Sequence, residues 1–289
     1  MLPLTVKKED DAAANSISES TNFSKWEKGE RIGAGGFGTV YVARNRETGA
    51  LCAIKELKDI HKPENMKSLQ KEIKILSQLE HPNIVKYYGH EEDGHKISLY
   101  MEFIESGSLK KYILKRGALH ETLIRKFTAQ ILAGLVYLHS ERVVHRDLKP
   151  DNILVNFEDT IKLVDFGLSK HLAESVGNHS LWGNAYYAAP EALRNTKYNS
   201  LREASVADIW SLGCVIIEML SGKHPWPNCE EQQAGWNVVG KGQCPSIPDE
   251  LCSEVKGFLE LCFIRTPAGR PSATELQDHP FVKPQNLSC

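Results

Sequence analysis

Two rhythms of apolar and polar residues run along this chain, and the change between them divides it. From Trp26, "WEKGERI" and "GTVYVARN" alternate apolar with polar, the period of a strand with one buried face, and "LCAIKEL" continues it. "MKSLQKEIKILSQLE" shifts to helical spacing, with Met66, Leu69, Ile73 and Leu76 on one face. Two more strand-like runs follow, "NIVKYYGH" and "KISLYMEFI". After "ESGSL" (Glu105 to Leu109) the rhythm is helical. "LIRKFTAQILAGLVYLHS" is long and amphipathic, and "VADIWSLGCVIIEMLSG" is strongly apolar. "LCSEVKGFLELCF" and "SATELQDH" are further helices, the second opened by Pro271 and Ser272. The pattern predicts a bilobal α+β fold. A small β-rich N-lobe covers about 25–104, and a larger helical C-lobe covers about 105–283, with a nucleotide-sized cleft expected between them. Residues 1–24 are polar without period and read as a mobile tail, and 284–289 as a short second tail.

Composition narrows the function classes. The 289 residues are 41% hydrophobic and 25% charged, as in ordinary globular proteins. A net charge of −2 supplies no basic field, so no nucleic-acid partner is expected. Cysteines stand at 52, 214, 229, 244, 252, 262 and 289 with no Cys-x-x-Cys pair. That irregular set suits a reducing compartment better than a disulfide framework or a zinc site. The most apolar run, "CVIIEMLSG", is too short to cross a bilayer, and the N-terminus shows no signal-peptide pattern. The expected setting is the cytosol, with the nucleus as a second.

Three stretches carry chemistry. "IGAGGFGTVY" spaces Gly33, Gly35 and Gly38 as G-x-G-x-x-G. Glycine lets backbone N–H groups approach phosphates closely. A dinucleotide-binding turn opens a helix at this point, whereas here the chain continues as the strand "TVYVAR". A glycine-rich hairpin without a ligand is the competing reading. Next comes Lys55 in "CAIK", 22 residues after Gly33. Ala53 and Lys55 share parity and therefore a face, and Val40 can lie across from them. A cation beside apolar residues needs an anion. Nucleotide phosphates and Glu72, next to the apolar stripe of the first helix, are the candidates. A solvated edge lysine and a surface helix glutamate are the bland alternatives.

The third stretch is "HRDLKPDN", His145 to Asn152, a polar knot with apolar flanks. Asn152 follows Asp147 by five residues, and "IKLVDFG" places Asp165 at the end of a strand-like run. Three oxygen donors thus stand at turns. Magnesium takes such donors and completes its shell with phosphate oxygens. Phosphoryl transfer also needs a group to orient the incoming hydroxyl, which Asp147 can do, and a cation near the moving phosphoryl, which Lys149 offers. Asp and Asn capping a tight turn explain one such residue, but not the whole ordered set.

These motifs in this order resemble the eukaryotic protein kinases, from about Trp26 to Val282. The resemblance implies ATP as co-substrate, Mg2+ as cofactor and a protein acceptor. It implies that Gly33, Gly35 and Gly38 cover the phosphates. Lys55 holds the α- and β-phosphates and pairs with Glu72. Asp147 orients the acceptor hydroxyl, assisted by Lys149, and Asn152 and Asp165 bind magnesium. "YMEFIES" resembles the hinge, with Met101 as gatekeeper and the backbones of Glu102 and Ile104 on the adenine edge. Ile32, Val40, Ala53 and Leu154 complete the nucleotide surface. Glu191 of "APE" and Arg270 are expected to form a buried pair, and Leu76, Tyr87, His145 and Phe166 a stacked spine, with His145 structural.

Lys149 resembles the Ser/Thr kinases. "HPNIVKYYGH", "MEFIESGSLKKYI" and "GRPSATELQDHPFV" resemble the STE branch, especially mitogen-activated protein kinase kinase kinases, which implies a signalling role and a downstream kinase as acceptor. One departure stands out. "WGNAYYAAPE" places Asn184 where such kinases carry a threonine that bridges the base and the neighbouring lysine. An asparagine amide both donates and accepts and can keep the bridge; the alternative is a changed acceptor preference or weak activity. Arg146, beside the base, calls for an anion, and phosphorylated Ser180 or, second, Ser175 is the expected partner. The competing function is a nucleotide-binding pseudokinase or scaffold. Lys55, Glu72, Asp147, Asn152 and Asp165 weigh against it, and Asn184 alone favours it.

Overall fold

The alternation that starts at Trp26 builds a five-stranded antiparallel sheet of order β1-β2-β3-β5-β4. Its strands are β1 (Trp26–Gly35), β2 (Gly38–Asn45), β3 (Leu51–Leu57), β4 (Tyr87–Asp93) and β5 (Lys96–Glu102). The computed structural model describes residues 23–35, 38–57, 70, 73–93, 96–165, 170–171, 184–194, 196, 198 and 200–283. Glu72, Phe166, Gly167, Ser175 and Ser180 lie outside the described residues, as do Met66 and Leu69.

Pairing sorts the sheet's side chains by parity. Val40 lies across from Lys55, and Lys55 across from Leu99; Val42, Ala53 and Met101 pair in the same way. These residues share one face. The other face carries Ala43, Cys52, Ile54 and Tyr100, packed under Phe23, Trp26 and Tyr88. Phe23 belongs to a 3-10 turn (Phe23–Lys25) and stacks on Tyr100 at 4.2 Å. Phe23 and Ser24, which the sequence reading assigns to the polar tail, belong to this turn, because the aromatic ring finds an apolar seat there. Of the predicted first helix, residues 73–76 are helical, with Ile73 and Leu76 buried.

The larger unit is built on helices α1 (Leu109–Arg116), α2 (Glu121–Ser140), α3 (Pro190–Leu193), α4 (Leu201–Ser221), α5 (Glu231–Val239), α6 (Ser253–Cys262) and α7 (Ala273–Gln277). Short pairs β6 (Val143–Val144) with β9 (Lys170–His171), and β7 (Ile153–Val155) with β8 (Ile161–Leu163), complete it. On α2, Ile124, Phe127, Ile131, Leu135 and Leu138 are buried at i, i+3, i+4 spacing. A capping box opens α7, with Ser272 and Glu275 exchanging hydrogen bonds.

Helix α4 is the core helix. Ser200 caps its start, and Gly222, at φ 71°, closes its end. Its length and composition alone would allow a membrane span, longer than "CVIIEMLSG" implied. However, 89% of its most apolar window is buried inside the protein.

The chain divides into two units. The first holds the described residues up to Leu79 together with Lys86–Phe103, and the second holds Glu80–Val85 and everything from Ile104. The run "NIVKYYGH" is thus split. Its first half is not a strand of the sheet: Ile84 bridges Leu163, and the Asn83 amide donates to the Ile161 carbonyl at 3.0 Å. Strand β4 begins only at Tyr87.

Candidate active site

In the first unit, hairpin β1–β2 closes through the pairs Gly33–Val40, Ala34–Thr39 and Gly35–Gly38. Gly38 sits at φ 150°, and a Cβ there would stand 2.2 Å from the Glu56 carbonyl oxygen. Only glycine lets β2 start this close to β3. At Gly33 a Cβ would meet Val40 at an ordinary 3.8 Å. Lys55 is half-buried on the face lined by Val40, Val42, Ala53 and Leu99. Glu56 points to the other side and pairs with Lys28 at 3.0 Å and with Lys96. Met101 pairs with both Ala53 and Tyr87, and Glu102 donates its N–H to Lys86. Ile32 is exposed on β1.

In the second unit, the octapeptide is bolted to α4. Asp208, buried, accepts the N–H groups of His145 and Arg146, each at 2.9 Å, and meets His139 Nε2 at 2.9 Å. Burial alone would raise its carboxyl, but His139 and then His145 and the Arg146 amide hold it below the usual carboxylate range. The clamp keeps Arg146 in the left-handed region at φ 68°, a cost of about 1–2 kcal/mol for a side-chain-bearing residue. Burial pushes the His145 imidazole down, against the pull of Asp208, Asp147 and Asp165. The ring is fully buried, where the sequence reading expects a structural histidine. Burial also pushes the Arg146 guanidinium down, countered by Tyr198 and Asp208. The anion expected beside Arg146, phosphorylated Ser180 or Ser175, lies outside the described residues.

Asp147 is buried, and its Oδ2 accepts Lys149 Nζ at 2.7 Å and Asn152 Nδ2 at 2.8 Å. No hydrogen bond from the described residues reaches Oδ1. Asn152 spends its amide hydrogens on Asp147, donating also to the Asp147 carbonyl at 2.8 Å. Its own amide oxygen therefore points away as an acceptor. Asn152 and Asp165 flank the open end of the β7–β8 hairpin, where Ile153 pairs with Leu163. Val164 donates to the Asn152 carbonyl at 3.0 Å, and Asp165 follows at φ 65°. One amide oxygen and one carboxylate at the same edge suit a hard cation such as Mg2+ that brings phosphate and water for its remaining ligands. Among the described residues no group of three or more His, Cys, Asp or Glu side chains could hold a metal by itself. Leu154 lies on β7, bridged to Ser108, and Ile104 is buried in this unit.

Asn184 departs from the expectation. Its Oδ1 accepts the Tyr186 N–H at 2.9 Å in a local turn, and it makes no hydrogen bond to Asp147 or Lys149 among the described residues. The competing partner is the backbone two residues on, which an asparagine side chain reaches more readily than a distant base. The segment it opens is held at several points. Ala185 N–H donates to Glu231 at 2.8 Å and Tyr186 Oη to the Cys229 carbonyl at 3.1 Å. Ser211 Oγ donates to the Tyr187 carbonyl at 2.9 Å.

Sequence reasoning missed Asp208 as the clamp. A carboxylate inside "VADIWSLGCVII" was the available signal, since a buried charge on an apolar helix demands a partner. Glu218, on the same helix, was missed for the same reason.

The protein kinase domain family matches residues 26–282. Mitogen-activated protein kinase kinase kinase 5 of Arabidopsis thaliana is 46% identical over 267 residues, covering 90% of this chain and 37% of that protein. Mitogen-activated protein kinase kinase kinase YODA of the same plant is 42% identical over 264 residues, covering 90% and 29%. Mitogen-activated protein kinase kinase kinase A of Dictyostelium discoideum is 40% identical over 266 residues, covering 89% and 28%. The chain spans well under half the length of these relatives. A match that runs from Trp26 to Val282 takes in the strands of one unit and the helices of the other, and by it this chain belongs to the protein kinase family.

Proposed function

We propose that this chain is a protein serine/threonine kinase that moves the γ-phosphoryl group of ATP to a Ser or Thr hydroxyl of a protein. The names of its relatives support a place in a signalling cascade with a downstream kinase as acceptor. The observation that carries the reading is the Asp147 carboxylate, with Oδ2 committed to Lys149 and Asn152 and Oδ1 left to an incoming hydroxyl. In this role Asp147 orients the hydroxyl and takes its proton as the bond to phosphorus forms. Lys149 carries positive charge to the transferring group and lowers the cost of charge that develops there. Lys55 holds the α- and β-phosphates, with Glu72 as its carboxylate, and Gly33, Gly35 and Gly38 leave room for backbone N–H groups to meet phosphate oxygens. Ile32, Val40, Ala53, Met101 and Leu154 supply apolar surface for the base, and the backbones of Glu102 and Ile104 its hydrogen bonds. Asn152 and Asp165 would hold Mg2+, which when bound neutralises phosphate charge.

The test is transfer from ATP to a protein or peptide acceptor, with Lys55→Met and Asp165→Asn as controls. Wild type should transfer to serine or threonine, and both variants should lose about 10²-fold or more. Undiminished transfer by both variants would refute the site. Nucleotide binding without any transfer by wild type would make the chain a scaffold.

A further inference from the structure

Glu218 is a carboxylate with no exposure to solvent, in the last turns of α4. Its two oxygens go to different elements. Oε1 takes Lys110 Nζ at 2.5 Å, from the first turn of α1, and Oε2 takes Tyr187 Oη at 2.5 Å. Burial, and then the Glu218 carboxylate, push the Tyr187 hydroxyl well up, so Tyr187 stays a donor. Lys110 keeps 29% of its side chain exposed and is the wet end of the chain Lys110–Glu218–Tyr187. The chain after α1 is tied to the same end of α4, with Leu119 N–H donating to the Met219 carbonyl at 2.8 Å. Among the described residues the other hydrogen bonds of Asn184–Ala189 run within the segment, to α3, to α4, or to α5 and the loop before it. Among the described residues, the hydrogen-bonded link from this segment to α1 runs through Glu218. It also meets the requirement of a buried carboxylate, which needs a cation and full hydrogen bonding to be tolerated.

We infer that Lys110 is a positioning residue for the Asn184–Ala189 segment, holding it through buried Glu218 so that protein-acceptor binding, and not ATP binding, depends on this lysine. The inference rests on the kinase reading in taking that segment to receive the acceptor. Without Lys110, Glu218 keeps one neutral donor, and water or movement of Tyr187 must satisfy the other oxygen. The segment that carries Tyr187 then loosens, while the glycine hairpin and Lys55, in the other unit, keep their own hydrogen bonds.

Two measurements on Lys110→Met, Lys110→Arg, Glu218→Gln and the double variant Lys110→Met/Glu218→Gln decide it. Amide hydrogen exchange across Ala185–Tyr187 should quicken on the order of tenfold in Lys110→Met and return toward wild type in Lys110→Arg, which restores the cation. In transfer assays the KM for the protein acceptor should rise on the order of tenfold in Lys110→Met with the KM for ATP unchanged, and the arginine variant should recover. The double variant, which removes charge from both partners, should be less impaired than the product of its single changes. Unchanged exchange, equal rises in both KM values, or an arginine variant as impaired as methionine would overturn the inference. Faster exchange with an unchanged acceptor KM would overturn it while leaving the kinase reading intact. If wild type transfers nothing, the kinase reading falls and the acceptor role falls with it, while exchange still decides the link from Lys110 to Tyr187.

Discussion

Arg270 holds Glu191 with two hydrogen bonds, Nη1 to Oε1 at 2.6 Å and Nη2 to Oε2 at 3.2 Å, and the arginine has no exposure at all. The three remaining guanidinium hydrogens are also placed: Nη1 donates to the Val206 carbonyl at 2.8 Å, Nε to the Ile264 carbonyl at 2.9 Å and Nη2 to the Arg265 carbonyl at 3.5 Å. Its Cζ lies 5.3 Å from the centroid of the Trp210 ring. The pair joins the start of α3 to α4 and to the turn before α7. Arg270→Met should cost about 3–5 kcal/mol, because it strands a buried carboxylate. Urea unfolding followed by circular dichroism checks this, and a midpoint equal to that of a surface Arg→Met control would contradict it.

Asn152 aims Asp147 with the hydrogens of the same amide whose oxygen is the proposed metal ligand. Asn152→Ala therefore removes an orienting donor and, on the proposed reading, a metal donor together. Transfer should fall by about 10²-fold, and the magnesium concentration for half-maximal rate should rise. Initial rates against magnesium at saturating ATP measure both. A slower enzyme with an unchanged magnesium dependence would remove Asn152 from the metal set.

The glycine hairpin gives a contrast between two glycines of one motif. Gly38→Ala brings a Cβ to 2.2 Å from the Glu56 carbonyl at a left-handed φ, whereas Gly33→Ala meets only Val40 at 3.8 Å. The first should destabilise the sheet by about 1–3 kcal/mol and the second should leave its melting nearly unchanged. Differential scanning calorimetry of both separates them.

Acid should destabilise the protein through His145. Its folded-state pKa lies below the ordinary 6.5, so the unfolded chain binds a proton that the folded chain refuses. That contribution is absent above pH 6.5 and drains stability as the pH falls below it. Asp208, also depressed in the fold, acts at lower pH, losing its contribution as the pH falls through the acidic range below 3.8. Thermal melts at pH 7.5 and 5.5 should show a falling midpoint, and His145→Phe should shrink the difference. An unchanged difference would assign the acid sensitivity elsewhere.

Much of the architecture was legible because period is a local property. Alternation over "GTVYVARN" and "LCAIKEL" is enough to put Val40 and Lys55 on one face, and the register agrees. The apolar stripe of α2 and the Pro271–Ser272 start of α7 are equally local. Helix α5 was not foreseen. It buries only Ala234, Asn237 and Val238 and exposes Trp236, so its apolar stripe is too thin to stand out against Gln and Gly.

Asn184 marks the boundary between the two kinds of knowledge. Its departure from threonine is plain in the sequence, but whether its amide reaches the base or its own backbone depends on how the turn closes. The sequence by itself determined the two classes of element, the family and the order of the phosphoryl-transfer residues, because periodicity and motif spacing are written along the chain. The Arg270–Glu191 pair stands as the resemblance implied, and only the tertiary structure decided that Asp208 clamps the His145–Arg146 backbone and that Lys110 reaches Tyr187 through Glu218. Each of those joins residues more than 60 positions apart, and a buried charge announces that it needs a partner without saying which one the fold will bring.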